Sequence, residues 1–201
     1  MISPIHRCAL ISIVCMGMLL TAGSGQAADA SGKFSIRGPG SQGCETYLAS
    51  VGNVQVRARI ASWLLGYATA RNRLEPDTYD FIPTEGGADF PNVVAVICKA
   101  NQKATIEQAA HAAITALAPM RQSAASPLVE LRADGKTINI HQEALRTLQA
   151  ALIGKAAFNG RADGLASASF VAALKDFQRK ESIPVTGLPD IDTFIRAIIK
   201  H

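Results

Sequence analysis

The stretch that decides the fold runs Leu145-x-x-Leu148-Gln149-x-x-Leu152, Asn159-Gly160-x-x-Asp163-Gly164, Ala172-Ala173-Leu174-x-x-Phe177-Gln178 and Val185-Thr186-Gly187-x-x-Asp190-x-x-Thr193. Leu145, Leu148 and Leu152 recur at helical spacing and form one apolar face, with Gln149 beside it. Asn159-Gly160 and Asp163-Gly164 read as turns, because Gly tolerates positive φ and Asp bonds nearby backbone amides. Ser167 or Ser169 is placed to cap a middle helix, whose buried face would be Phe170, Leu174 and Phe177. Thr186-Gly187 makes the next turn, and Asp190 caps a last helix closed by Phe194, Ile195, Ile198 and Ile199. Three short helices over 142–201 follow from the residue pattern alone.

In this order and spacing the four motifs resemble the small helical peptidoglycan-binding domain that bacteria attach to cell-wall proteins. The resemblance implies a three-helix fold with peptidoglycan as its partner, and no reaction. One departure stands out. After Asp-Gly the family has a variable residue, Phe, Gly-Pro and then a Thr two positions on, where this chain has Ala166, Ser167-Ala168 and Phe170. The family's threonine is absent, so the entry to the middle helix and the binding surface are the parts in question. The candidate ligand residues are Gln149, Asn159, Arg161, Asp163 and Gln178. For the two glutamines two readings stand: a bond to backbone, or a reach to a sugar or peptide amide. Arg161 either pairs with a stem-peptide carboxylate or is a solvated loop arginine.

Working outward, residues 1–30 read as a secretory signal peptide: His6 and Arg7, an apolar run from Cys8 to Leu20, then small residues to Ala30. The run is shorter than the roughly 20 residues a membrane span needs, so no stable span is expected once the signal is removed. Export and a periplasmic location are the expectation. Removal takes away Cys8 and Cys15 and leaves Cys44 and Cys98. An even pair in an exported chain reads as a disulfide. Two free buried thiols are the alternative. A bridge closing about 55 residues would restrict the unfolded chain by about 4 kcal/mol in the entropy model.

Ser31 to Gln42 is rich in Gly and Ser and reads as a flexible lead-in. Residues 43–118 then read as a small helical bundle. Tyr47, Leu48 and Val51 mark a first helix; Val56, Ile60, Trp63, Leu64 and Tyr67 mark a second, ended by Pro76. The Pro- and Gly-rich stretch from Glu75 to Phe90 reads as a loop. Val93, Val94, Val96 and Ile97 bring a third helix to Cys98. Thr105-x-x-Gln108 reads as a capping box opening a fourth, with Ile106, Ala110, Ala113, Ile114 and Leu117 on one face. Cys44, Trp63-x-x-Gly66-Tyr67 and Val96-Ile97-Cys98-Lys99-x-Asn101 resemble the HdeA/HdeB group of small periplasmic helical proteins, some of which are acid-stress chaperones. A related pattern is found in immunity proteins that block cell-wall amidases. Residues 119–141 are a linker, with a hairpin signal at Asp134-Gly135 between apolar residues.

Twenty Lys and Arg against sixteen Asp and Glu leave a net charge of +4. No Lys/Arg run with interleaved aromatics occurs, so nucleic acid is not an expected partner. His111, His141 and His201 share no metal-ligand spacing, and Gly-x-Ser-x-Gly and phosphate-cradling Gly loops are missing. Asp77, Asp80, Glu85 and Asp89 cluster in the long loop, where paired carboxylates for glycoside hydrolysis compete with a solvated acidic loop. The expectation is therefore an all-α, exported, non-enzymatic protein with no cofactor and no metal. Its domain 142–201 would bind peptidoglycan while 43–118 is presented in the periplasm. The alternative is an acid-stress chaperone or an immunity-type inhibitor, with a periplasmic client or a cell-wall hydrolase as partner.

Overall fold

The computed structural model describes residues 28–199. The expected export signal lies outside the described residues, apart from Ala28, Asp29 and Ala30. The chain divides into residues 1–35 and 36–201. In the first part the Asp29 carboxylate accepts hydrogen bonds from the Lys33 and Ser31 amides at 2.8 and 2.9 Å, which holds its pKa below the usual value. All that follows concerns residues 36–201, which pack as one unit.

The first four helices are α1 (Cys44–Ala49), α2 (Val54–Leu74), α3 (Asp89–Ala100) and α4 (Ile106–Leu117). Asn53 starts α2 by accepting from the Val56 amide at 3.1 Å. Ile60, Leu64 and Ala68, one turn apart, form its buried stripe. Thr105 and Gln108 close the capping box in both directions, at 3.2 and 2.9 Å, and orient α4. Cys44 and Cys98 are bridged, with Cα atoms 5.0 Å apart, so α1 is tied to α3 as expected. Tyr47, also buried, donates its hydroxyl to the Pro91 carbonyl at 3.0 Å.

The reading of Ser31 to Gln42 as a flexible lead-in is corrected at its C-terminal end. Gly38–Ser41 forms a 3-10 turn, and Gly40 is buried. A Cβ on Gly40 would lie 2.1 Å from the Trp63 ring. The glycine is there for close approach: the indole lies against bare backbone that no larger residue would permit.

The hairpin forms at the expected place. Strands β1 (Leu128–Ala133) and β2 (Lys136–His141) pair antiparallel, with Ala133 opposite Lys136. Asp134 and Gly135 both take positive φ, 48° and 75°, as a two-residue hairpin turn of matching twist requires. A lone hairpin is marginal in water, and this one is supported from several sides. The loop 75–88 runs past its β2 edge, where the Glu85 amide donates to the Asn139 carbonyl at 3.3 Å and Thr84 bridges to Ile140. Phe81, Ile82 and Thr84 are buried, so hydrophobic burial anchors this segment. At the hairpin tip Lys175 pairs with Asp134 at 2.7 Å.

Helices α5 (Gln142–Gly154), α6 (Ala168–Lys180) and α7 (Ile191–Phe194) follow, the last running into a π-helical turn at Ile195–Ile199. Leu145, Leu148, Leu152, Phe170, Leu174, Phe177 and Phe194 are buried as the spacing predicts. Phe158 adds an edge-to-face contact with Phe170, centroids 5.2 Å apart. Among the described residues no helix is long and apolar enough to cross a membrane.

Candidate functional site

The tail is organised by two buried glutamines that do the same work. Each follows the apolar stripe of its helix and faces a glycine turn further along the chain. Gln149 is 1 % exposed; its Oε1 accepts from the Gly164 amide at 2.7 Å, and its Nε2 donates to the Leu165 carbonyl at 3.0 Å. Gln178 is fully buried; its Oε1 accepts from the Thr186 and Gly187 amides at 2.9 and 2.8 Å. Its Nε2 lies 2.9 Å from both the Leu188 carbonyl and Thr193 Oγ1. Gly164 and Gly187 both have positive φ, 73° and 66°. Such a turn turns its amides inward, and a side-chain amide with a donor and an acceptor satisfies both ends of it.

Around the second turn the network continues. Asp190 accepts from the hydroxyls of Thr186 and Thr193 at 2.7 and 2.6 Å, and from the Thr193 amide at 3.0 Å, which caps α7. Around the first, Asp163 accepts from the Leu165 amide at 2.9 Å and from Gln149 at 3.3 Å. Ser167 caps α6 through the Phe170 amide at 3.1 Å. The helix entry that departs from the family pattern therefore still has its capping oxygen.

Of the five candidate ligand residues, the structure brings Gln149 and Asp163 together at one turn and places Gln178 at the other. Asn159 and Arg161 are exposed. Between them Gly160 lies close over the Phe158 ring: a Cβ there would be 2.2 Å from it, so the turn takes glycine at this place. Arg161 has no ion-pair partner among the described residues. The turn 159–163 thus presents an amide, an unpaired guanidinium and a half-buried carboxylate. That set can hydrogen-bond a polar polymer, and it holds no nucleophile against a base.

Elsewhere the ionisable groups serve the fold. Tyr67 donates to the buried Glu107 carboxylate at 3.1 Å, and burial, with that carboxylate alongside, pushes the Tyr67 hydroxyl up to about 12. His111 is exposed and lies 3.4 Å from Arg71. In the acidic loop, Asp80 accepts from the Ile82 amide and the Asn72 side chain at 2.9 and 3.0 Å, and burial raises its pKa. Asp89 bonds Thr84 and is raised by burial as well. His141 Nε2 lies 3.1 Å from Glu85 and its Nδ1 3.1 Å from the Ser126 carbonyl. Of these contacts, His141–Glu85 joins the loop to the hairpin, while Asp80 and Asp89 tie the loop to itself and to α2 and α3. Among the described residues no three His, Cys, Asp or Glu side chains gather as a metal site.

Sequence reasoning missed how Gln178, Thr186, Asp190 and Thr193 form one network while Gln149 clamps a separate turn with Asp163 and Gly164, and missed Phe158 under the loop. A signal was present. Leu148-Gln149 before Asp163-Gly164 and Phe177-Gln178 before Thr186-Gly187 are one pattern written twice.

No curated protein and no solved structure matches the chain with significance. Residues 141–196, which hold both glutamine-clamped turns, match the family model of the peptidoglycan binding domain.

Proposed function

We propose that this is an exported, non-catalytic protein that binds peptidoglycan through its C-terminal helices and carries the disulfide-tied bundle to the wall. The family match over residues 141–196 carries the reading. It is supported by the surface chemistry of the turn 159–163, where Arg161 and Asn159 face solvent on either side of Gly160, which lies over the Phe158 ring. A polymer that repeats one site many times needs no tight single contact, because rebinding raises the local concentration. The bundle would then be held in the periplasm at the wall surface.

Co-sedimentation with insoluble murein tests the proposal. The protein recovered from a periplasmic fraction pellets with sacculi, and the paired surface change Asn159→Ala and Arg161→Glu lowers the pelleted fraction several-fold without altering the circular dichroism. Protein that stays in the supernatant at every murein load overturns the reading. Recovery from the cytoplasm alone, with residues 1–30 intact, overturns the export part of it.

A further inference from the structure

A cleft of about 790 Å³ runs between α3 and the end of α4 on one side and α7 with its π-helical turn on the other. Most of the side chains along it are aliphatic. On the tail side Ile191 is buried, while Ile195 and Ile199 are half-buried. On the α3 side Val96 is 62 % exposed, so it stands at the edge of the cleft and not on its floor. An aliphatic row of this extent, open to water, marks a place that a partner covers. None of residues 159–163 lines the cleft, so it is separate from the turn offered to the wall.

Two charges on the tail side decide what that partner carries. Asp192 and Arg196 both line the cleft, four positions apart. They are not paired with each other, and neither has an ion-pair partner among the described residues. Asp192 faces like charge instead: the Asp89 carboxyl, at the start of α3, is raised first by burial and then by the charges of Asp190 and Asp192. A hydrocarbon chain would cover the isoleucines and leave both charges unmatched. A ligand with one charged head would match one and be opposed by the other. The partner that fits carries aliphatic groups beside a cation and an anion, and this same surface is such a partner. A two-fold axis passing between two sites on one surface sets each against the other's counterpart, whatever their separation. Asp192 and Arg196 then form two ion pairs at once.

We infer that the chain pairs with a second copy of itself through this cleft, about a two-fold axis between Asp192 and Arg196, with each Asp192 on the partner's Arg196 and each Val96 against the partner's isoleucines. Val96 supplies the protruding group that a cleft facing a cleft needs. Burial of the aliphatic row gives attraction without direction, and the reciprocal charges fix the orientation. The inference stands apart from the wall-binding reading. Where both hold, the dimer presents two wall-binding tails, and the second engages the polymer at a raised local concentration.

Sedimentation velocity of the whole protein purified from cells, run without murein from low micromolar to near-millimolar concentration, is the test. The mass rises from monomer to dimer and stops there, because a two-fold contact closes on itself. Asp192→Arg and Arg196→Asp each raise the dimer dissociation constant roughly tenfold or more, since one reversal sets like charges together at both symmetric pairs. The two reversals combined rebuild the pairs with their signs exchanged and recover most of the affinity. Val96→Ser, at an exposed helix position, weakens the dimer several-fold and leaves the circular dichroism unchanged. A monomer at every concentration overturns the inference, and so does a dimer that neither Asp192→Arg nor Val96→Ser weakens. Failure of the double exchange to recover what the single changes lose overturns it too. Native mass spectrometry identifies the other occupant: a monomer carrying a bound amphiphile makes the cleft a lipid site and overturns the pairing. Murein pelleting, which tests the wall reading, is untouched by any of these results.

Discussion

Gln178 separates a turn clamp from a ligand contact more sharply than any other residue of the tail. Replacing it with Leu keeps an apolar side chain of similar size in the core but removes every hydrogen bond it makes. The Thr186 and Gly187 amides lose their acceptor, while the Leu188 carbonyl loses one donor and keeps the Asp190 amide at 2.9 Å. Gly187 and Leu188 are buried, so water does not replace what is lost. At about 1–3 kcal/mol for each of the two orphaned amides, the gross cost is on the order of 2–6 kcal/mol. Leu recovers about 1–2 kcal/mol through its greater apolar burial. The net expectation is about 2–3 kcal/mol, a large part of the roughly 5–15 kcal/mol that stabilises a typical domain. Gln149→Leu should cost less, about 1–2 kcal/mol, because Leu165, whose carbonyl it serves, is exposed and open to water. Urea unfolding followed by circular dichroism at a fixed m-value gives both numbers. Both variants, kept below their midpoints, still pellet with murein. A loss under about 1 kcal/mol for Gln178→Leu, together with abolished pelleting, would refute the reasoning and make the amide a ligand contact.

Two glycines should respond with opposite signs. Gly66→Ala, on a stretch of α2 with nothing within 4 Å of the new methyl, raises stability by about 0.5–1 kcal/mol; Gly40→Ala lowers it and shifts Trp63 fluorescence, because its Cβ would meet the indole at 2.1 Å. Reducing the Cys44–Cys98 bridge lowers the urea midpoint by an amount worth about 2–4 kcal/mol; an unchanged midpoint counts against the bridge as a stabilising link. Asp80 has a folded pKa raised above 3.8 by burial, so the folded state holds its proton more tightly than the unfolded chain does. Its unfavourable contribution is absent at low pH and grows as pH rises from the unfolded value through the folded one. Asp80→Asn should therefore gain on wild type between pH 3 and pH 7, and a difference independent of pH would contradict the assignment.

Much of this architecture was legible residue by residue. Ile60, Leu64 and Ala68 lie one turn apart, Thr105 and Gln108 have the spacing of a reciprocal cap, and Asp134-Gly135 has the φ preferences of a hairpin turn. The candidate site was legible only as a set of residue types. Arg161 and Asn159 sit on the surface, while Gln149 and Gln178, equally polar and equally close to an apolar stripe, are buried. Spacing on a helix tells which face a residue occupies; it does not tell what lies opposite that face.

The sequence by itself determined the helices, the hairpin, the cysteine pair and the likeness of 142–201 to a wall-binding module. Each of these depends on groups a few positions apart, or on a repeated order of motifs. Tertiary structure alone decided that Gly40 makes room for Trp63, that Gln178 satisfies Thr186 and Gly187, and that the Gln122 side-chain amide meets the Ile82 carbonyl forty positions away. The reason is that a buried polar atom takes its partner from whatever the packed core brings within about 3 Å, and that neighbour comes from a distant part of the chain.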